Sequence, residues 1–89
     1  MISRIFGRCE AVRNASVLLR VGGIEYEVAV PRFSLDDLRA RVGEEVILHT
    51  FHYIEGSAGM GNLFPRLVGF LRPEEREFFE KSLAALRGK

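Results

Sequence analysis

"SVLLRVGGIEYEVAVP", residues 16–31, is the stretch on which the reading of this chain turns. Val17, Leu19 and Val21 share one face of its first half, and after Gly22-Gly23 the alternation resumes with Ile24, Tyr26, Val28 and Val30. Alternation with a period of two is the mark of a half-buried strand. A two-residue Gly-Gly link between two such runs predicts a tight hairpin, because glycine enters the left-handed region without steric cost. Pro31 has no N–H to give a ladder and closes the second strand.

Working outward, residues 2–12 read as a preceding strand, with Gly7 a candidate bend or bulge where the sheet curls. Beyond Pro31, "SLDDLRARVG" (34–43) predicts a short helix with Ser34 as N-cap, a stripe of Leu35, Leu38 and Val42, and Gly43 at its end. "EEVILHTFHYIE" (44–55) returns to strand character, and "RLVGFL" (66–71) is a fifth strand. Residues 56–65 between them, with Gly56, Gly59 and Gly61, are expected to form the connection with the greatest backbone freedom. "PEEREFFEKSLAALRGK" (73–89) is the clearest helix. Pro73 suits its first position, Glu74, Glu75 and Glu77 complement the positive end, and Lys81, Arg87 and Lys89 the negative end. Its buried stripe is Phe79, Leu83 and Leu86. The fold class is therefore mainly β: a five-stranded OB-fold Greek-key barrel with a short helix between strands 3 and 4 and a C-terminal helix. A flat three-on-two sandwich competes, and element order favours the barrel. The expected division is a barrel over 1–71 and a terminal helix over 72–89.

Eighty-nine residues, 47% hydrophobic and 28% charged, make one modest core. The net charge of +1 is too even for the composition alone to indicate a nucleic-acid binder, although eleven of the thirteen basic residues are arginine. Arg4, Arg8, Arg13 and Arg20 face only Glu10 in the first 23 residues, a mild basic bias. Cys9 stands alone, so no internal disulfide forms, and a reducing cytoplasm is the expected compartment. No segment approaches the length of a membrane span or a signal peptide.

Chemistry finds little footing. His49 and His52 stand three apart, which on a strand sends them to opposite faces and argues against a shared metal. Ser16, Ser34, Ser57 and Ser82 lie beside no recognisable base. Gly56, Gly59 and Gly61 give GxxGxG, the reverse of the dinucleotide fingerprint, with no helix opening behind it to face a phosphate. No catalytic residue, metal or cofactor is expected.

Four segments, "MISRIFGRCEAV", "VGGIEYEVAVP" (21–31), "GEEVILHT" (43–50) and "LVGFLRPEEREFFEKSL" (67–83), resemble in order and spacing the N-terminal domain of the RuvA family, the DNA-binding subunits of Holliday-junction branch migration. The resemblance covers nearly the whole chain. It implies an OB-fold first domain, a homotetramer around a fourfold axis, junction DNA held on one face, and a separate RuvB-type ATPase as motor. Family members carry an acidic pair at the tip of the hairpin between the fourth and fifth strands, which repels phosphate at the crossover. Here only Glu55 is acidic, Gly56 falls where its partner would be, and Ser57 follows, so the candidate pin loop is depleted. Members also continue into helix-hairpin-helix motifs that grip DNA and then into a RuvB-contacting region. This chain is accordingly expected to be a fragment, a free-standing domain being the other reading. Arg4, Arg8 and Arg20 are the candidates for phosphate proximity. The rival readings are a single-strand-binding OB module, which needs exposed aromatic side chains such as Phe51 and Tyr53 for base stacking, and a protein-binding adaptor.

Overall fold

A computed structural model describes residues 2–57 and 62–87 of the chain, with side chains described for 2–53 and 66–85. The strands are β1 (Arg4–Val12), β2 (Ser16–Val21), β3 (Ile24–Ala29), β4 (Glu45–Ser57) and β5 (Asn62–Phe70), with helices α1 (Arg32–Arg39) and α2 (Pro73–Arg87). They pair in the order β1-β2-β3-β5-β4 and close into a barrel. All ladders are antiparallel except the closing contact of β3 with β5, which is parallel at Ala29 and Val68. The closed five-stranded barrel with a helix between strands 3 and 4 is the architecture expected, and the flat sandwich is excluded by closure.

The hairpin forms as read. Ser16 pairs with Ala29 and Val21 with Ile24, and of the two turn glycines only Gly22 has a positive φ, 62°. That sign pattern is the type II′ turn, whose twist matches the flanking strands. Inside the barrel, Ile5, Cys9, Val17, Leu19, Val28, Val46 and Leu48 form the buried cluster. Leu35 and Leu38 of α1 join it, so this short helix plugs one end. The buried Thr50 hydroxyl donates to the Ile2 carbonyl at 2.6 Å and its N–H to that of Ser3 at 2.9 Å, which ties the chain start to β4.

Three sequence expectations need correction. Gly7 pairs regularly with Val46, and the bulge lies between Cys9 and Ala11. Gly7 is there for space: a Cβ on it would stand 2.9 Å from Val21 Cγ2 and 3.0 Å from the Arg20 carbonyl oxygen. The first helix is capped by Pro31, not Ser34. Ser34 is buried inside it and donates its N–H to the Pro31 carbonyl at 3.0 Å. Pro31 holds φ at −64° with an extended ψ, a conformation the ring enforces, and starting the helix there turns Leu35 and Leu38 inward. The helix ends at Arg39, so Val42 lies beyond it and is 50% exposed. Thirdly, the β4–β5 ladder continues through Glu55 with Phe64 and Gly56 with Leu63 to Ser57 with Asn62. Residues 56, 57 and 62–65 are therefore strand, and the rest of the expected loop, 58–61, lies outside the described residues. Each further antiparallel pair needs no extra loop closure, and Pro65 is tolerated because β5 meets β3 only further along, at Val68.

The terminal helix packs on the outside of the barrel. Phe79 meets Phe70, Phe51 and Tyr53 with ring centroids 5.3, 5.8 and 5.9 Å apart. The Arg76 guanidinium donates to the Thr50 carbonyl and pairs with Glu80 at 3.6 Å. Among the described residues no helix is long and apolar enough to cross a membrane.

Candidate nucleic-acid interface

Along β1 the side chains alternate: Ile5, Gly7 and Cys9 are buried, whereas Arg4, Phe6 and Arg8 are exposed. Arg8 stands opposite Arg20 in the β1–β2 ladder. The three candidate arginines thus share one outer face. Two like charges directly opposite each other are unfavourable unless something negative lies near. Register supplies it on both sides, for Arg8 also faces Glu45 of β4 and Arg20 faces Glu25 of β3. Arg8 Nε pairs with Glu10 at 3.3 Å. The row Glu45–Arg8–Arg20–Glu25 carries no net charge, yet its centre is a pair of guanidinium groups open to solvent.

Arg4 lies at the other end of that face, opposite His49, with its guanidinium carbon 5.3 Å above the Phe6 ring. Phe6 is 54% exposed, and its cross-strand partner Ile47 is 44% exposed. The sequence reading overlooked this aromatic. The alternation in "RIFGRC" carries the signal, since it puts Phe6 on the face of Arg4 and Arg8. Phe51 and Tyr53, the aromatics considered for stacking, lie instead under Phe79.

Glu55, Gly56 and Ser57 belong to the far end of β4. Their backbone is paired with β5, and their side chains lie outside the described residues. Arg8 pairs at Glu45, ten residues earlier, which is about 33 Å of strand contour at ~3.3 Å per residue. The arginine face and the candidate pin are therefore separate features at opposite ends of one long strand.

The other candidates stay structural. His52 Nδ1 accepts the Ile2 N–H at 3.4 Å, on the side of β4 away from His49. Cys9 Sγ lies 3.7 Å from the Leu38 carbonyl oxygen, under the α1 plug. Burial, with a smaller contribution from Glu10, pushes its thiol pKa up, which opposes thiolate formation. Among the described residues no group of three His, Cys, Asp or Glu side chains is placed to hold a metal ion.

Comparison with known proteins agrees with this architecture. The sequence model of the RuvA N terminal domain matches residues 1–58. A "Holliday junction branch migration complex subunit RuvA" of Rhodopirellula baltica is 42% identical over 80 residues, 90% of this chain and 39% of that protein. Proteins of the same name from Sphingopyxis alaskensis and Stutzerimonas stutzeri are 36% and 39% identical over 88 residues, 99% of this chain and 40% of each relative. The chain spans about two fifths of the length of the curated relatives it matches.

Proposed function

Because the chain belongs to the RuvA N-terminal domain family, we propose that it is the barrel unit of a Holliday-junction branch-migration subunit, acting in DNA recombination and repair. It assembles with three further copies into a tetramer, and it helps bind and shape junction DNA while a RuvB-type ATPase does the mechanical work. It carries no catalytic chemistry of its own. Its partners are DNA and protein, its compartment is the cytoplasm, and the division into a barrel over 1–71 and a helix over 72–89 belongs to this reading.

The observation that carries it is the family match over residues 1–58 on a closed five-stranded barrel with a helix between strands 3 and 4. The solvent-open Arg8–Arg20 pair, with Arg4 on the same face, supports a role near phosphate. Guanidinium groups bind phosphate oxygens in planar pairs, and the sheet face is the surface OB barrels commonly present to nucleic acid. Each such contact displaces a condensed counterion, so binding through few arginines is weak and strongly salt dependent. The test is fluorescence anisotropy of a labelled four-way junction and of a linear duplex, titrated with the 89-residue chain at graded salt. Micromolar binding that favours the junction and weakens steeply with salt is the expected result. Equal affinity for the two DNAs, or tight binding indifferent to salt, removes the reading.

A further inference from the structure

The outer face shared by β1 and β4 carries apolar surface that the barrel core does not use. Phe6 and its cross-strand partner Ile47 are both exposed there. Phe6 is flanked on its own strand by Arg4 and Arg8, and Ile47 by Glu45 and His49. The Arg4 guanidinium carbon stands 5.3 Å from the centre of the Phe6 ring. A planar cation held at an exposed ring makes a platform on which a further flat π system stacks. Phe51 and Tyr53, the aromatics first considered for such a role, pack against Phe79, whereas Phe6 is open to solvent.

Beside this platform lies a polar cleft of about 560 Å³. Arg4, Ile47 and His49 line its sheet side, Arg41 enters from the turn after α1, and Arg72 from the junction of β5 and α2. Arg4 and Ile47 belong to both features, so platform and cleft are contiguous. Asp37 and Glu45 also line the cleft, but among the described residues no ion pair engages Arg4, Arg41 or Arg72. Three guanidinium groups from three parts of the chain thus border one cleft, and guanidinium groups suit phosphate oxygens in planar pairs. The two carboxylates limit what a bare phosphate gains there, so a ligand that binds well uses the platform too.

We propose that this contiguous surface binds a single strand of DNA, with one unpaired base stacked on Phe6 and Ile47 and the adjoining phosphate held in the Arg4–Arg41–Arg72 cleft. An aromatic platform beside a cationic groove is the general means of holding single strands without sequence preference. A duplex fits poorly, because its bases are stacked inside the helix and present only their edges. A protein partner would account for the apolar pair and leave the three arginines unexplained; a free phosphate would do the reverse. Such a strand would arise at an opened junction, and only in that respect does the site rest on the junction reading.

The chain contains no tryptophan, so Phe6→Trp places a single indole on the platform, and a base stacked on it quenches its fluorescence. Titration of this variant with short oligo(dT) should quench the emission saturably. An abasic strand of the same length, with the phosphates but not the bases, should bind about fivefold more weakly or worse and leave the emission unchanged. Phe6→Leu keeps an apolar side chain but removes the ring, and should weaken oligo(dT) binding by about fivefold or more, whereas Phe6→Tyr should retain it. Arg41→Gln combined with Arg72→Gln should flatten the slope of log K against log salt by about 0.7 for each phosphate released. Equal affinity for oligo(dT) and the abasic strand overturns the proposal, as does a Phe6→Leu chain that binds oligo(dT) like the parent. So does quenching that grows with chain concentration in the absence of DNA, which would make the occupant a second copy. Quenching by oligo(dT) in a chain that shows no preference for the four-way junction would support this site and count against the junction reading alone.

Discussion

Replacing Arg8 and Arg20 together by glutamine probes the proposed junction-facing surface most directly. The two residues are ladder partners, about 5 Å apart at Cα. Arg4 lies four residues from Arg8 on the same face, roughly 13 Å of strand, or about four base-pair steps of duplex. Three arginines that each neutralise a phosphate give a slope of log K against log salt of about −2.7. Between 50 and 200 mM salt, affinity should then fall about 40-fold. With Arg4 alone the slope drops to about −0.9 and the loss to about 3.5-fold. Both arginines are exposed like charges facing each other, so their removal should leave the fold intact. Glu10 holds Arg8 at 3.3 Å, an exposed pair worth ~1 kcal/mol or less. Glu10→Gln should accordingly tighten junction binding by up to about fivefold, the equivalent of that energy. The assay is junction anisotropy at four or more salt concentrations, with unfolding curves for each variant. Arg39→Gln, on α1 and paired with Asp36, is the control and should leave the slope alone. A slope unchanged in the Arg8/Arg20 variant, or reduced as much by Arg39→Gln, would refute the assignment of this face to phosphate.

Three further outcomes are expected. Gly69→Ala would put a methyl group 2.8 Å from Val28 Cγ1 and 3.0 Å from Leu48 Cδ1, so it should cost ~1–3 kcal/mol and lower Tm by about 4–8 °C per kcal/mol. Gly23→Ala, with nothing within 4 Å, should be near neutral, and equal melting of the two variants would contradict the packing described. Cys9 should resist alkylation until the barrel opens. Because burial raises its folded pKa, the unfolded chain releases the thiol proton first. Stability is then undiminished below the unfolded-state value of about 8.5 and falls as pH rises from there through the raised folded value; stability rising over that window in denaturant titrations would reverse the sign. Near the far end of β4, Glu55→Gln in the full-length protein should change junction opening little, because one carboxylate makes a weak pin. Deleting residues 57–63 should change it more by shortening the β4–β5 ribbon, and FRET between junction arms distinguishes the two.

Local signals carried far in this chain. The hairpin at Gly22-Gly23 was legible because alternation and a left-handed glycine are properties of neighbouring residues, and the terminal helix because Pro73 and its acidic first turn are too. The same alternation contains the arginine face, since it sets Arg4, Phe6 and Arg8 on one side of β1. Its partner Arg20, and the bracketing by Glu25 and Glu45, depend on ladder register. The first helix shows how a local signal misleads. Ser34 has the chemistry of an N-cap, but Pro31 and the demand to bury Leu35 and Leu38 start the helix earlier.

By itself, then, the sequence determined the order of elements, the fold class and the family, because periodicity, turn chemistry and segment spacing are written along the chain. The tertiary structure decided what depends on closure. Gly7 and Gly69 are glycine because residues of other strands come within about 3 Å of where a Cβ would stand. The separation of Glu55 from the Arg8–Arg20 pair follows from pairing along the length of β4. The cluster of Phe79 with Phe51, Tyr53 and Phe70 exists only because α2 folds back onto the barrel. Each is a distance between residues remote in the chain, set by the barrel's register and packing, and no local pattern encodes it.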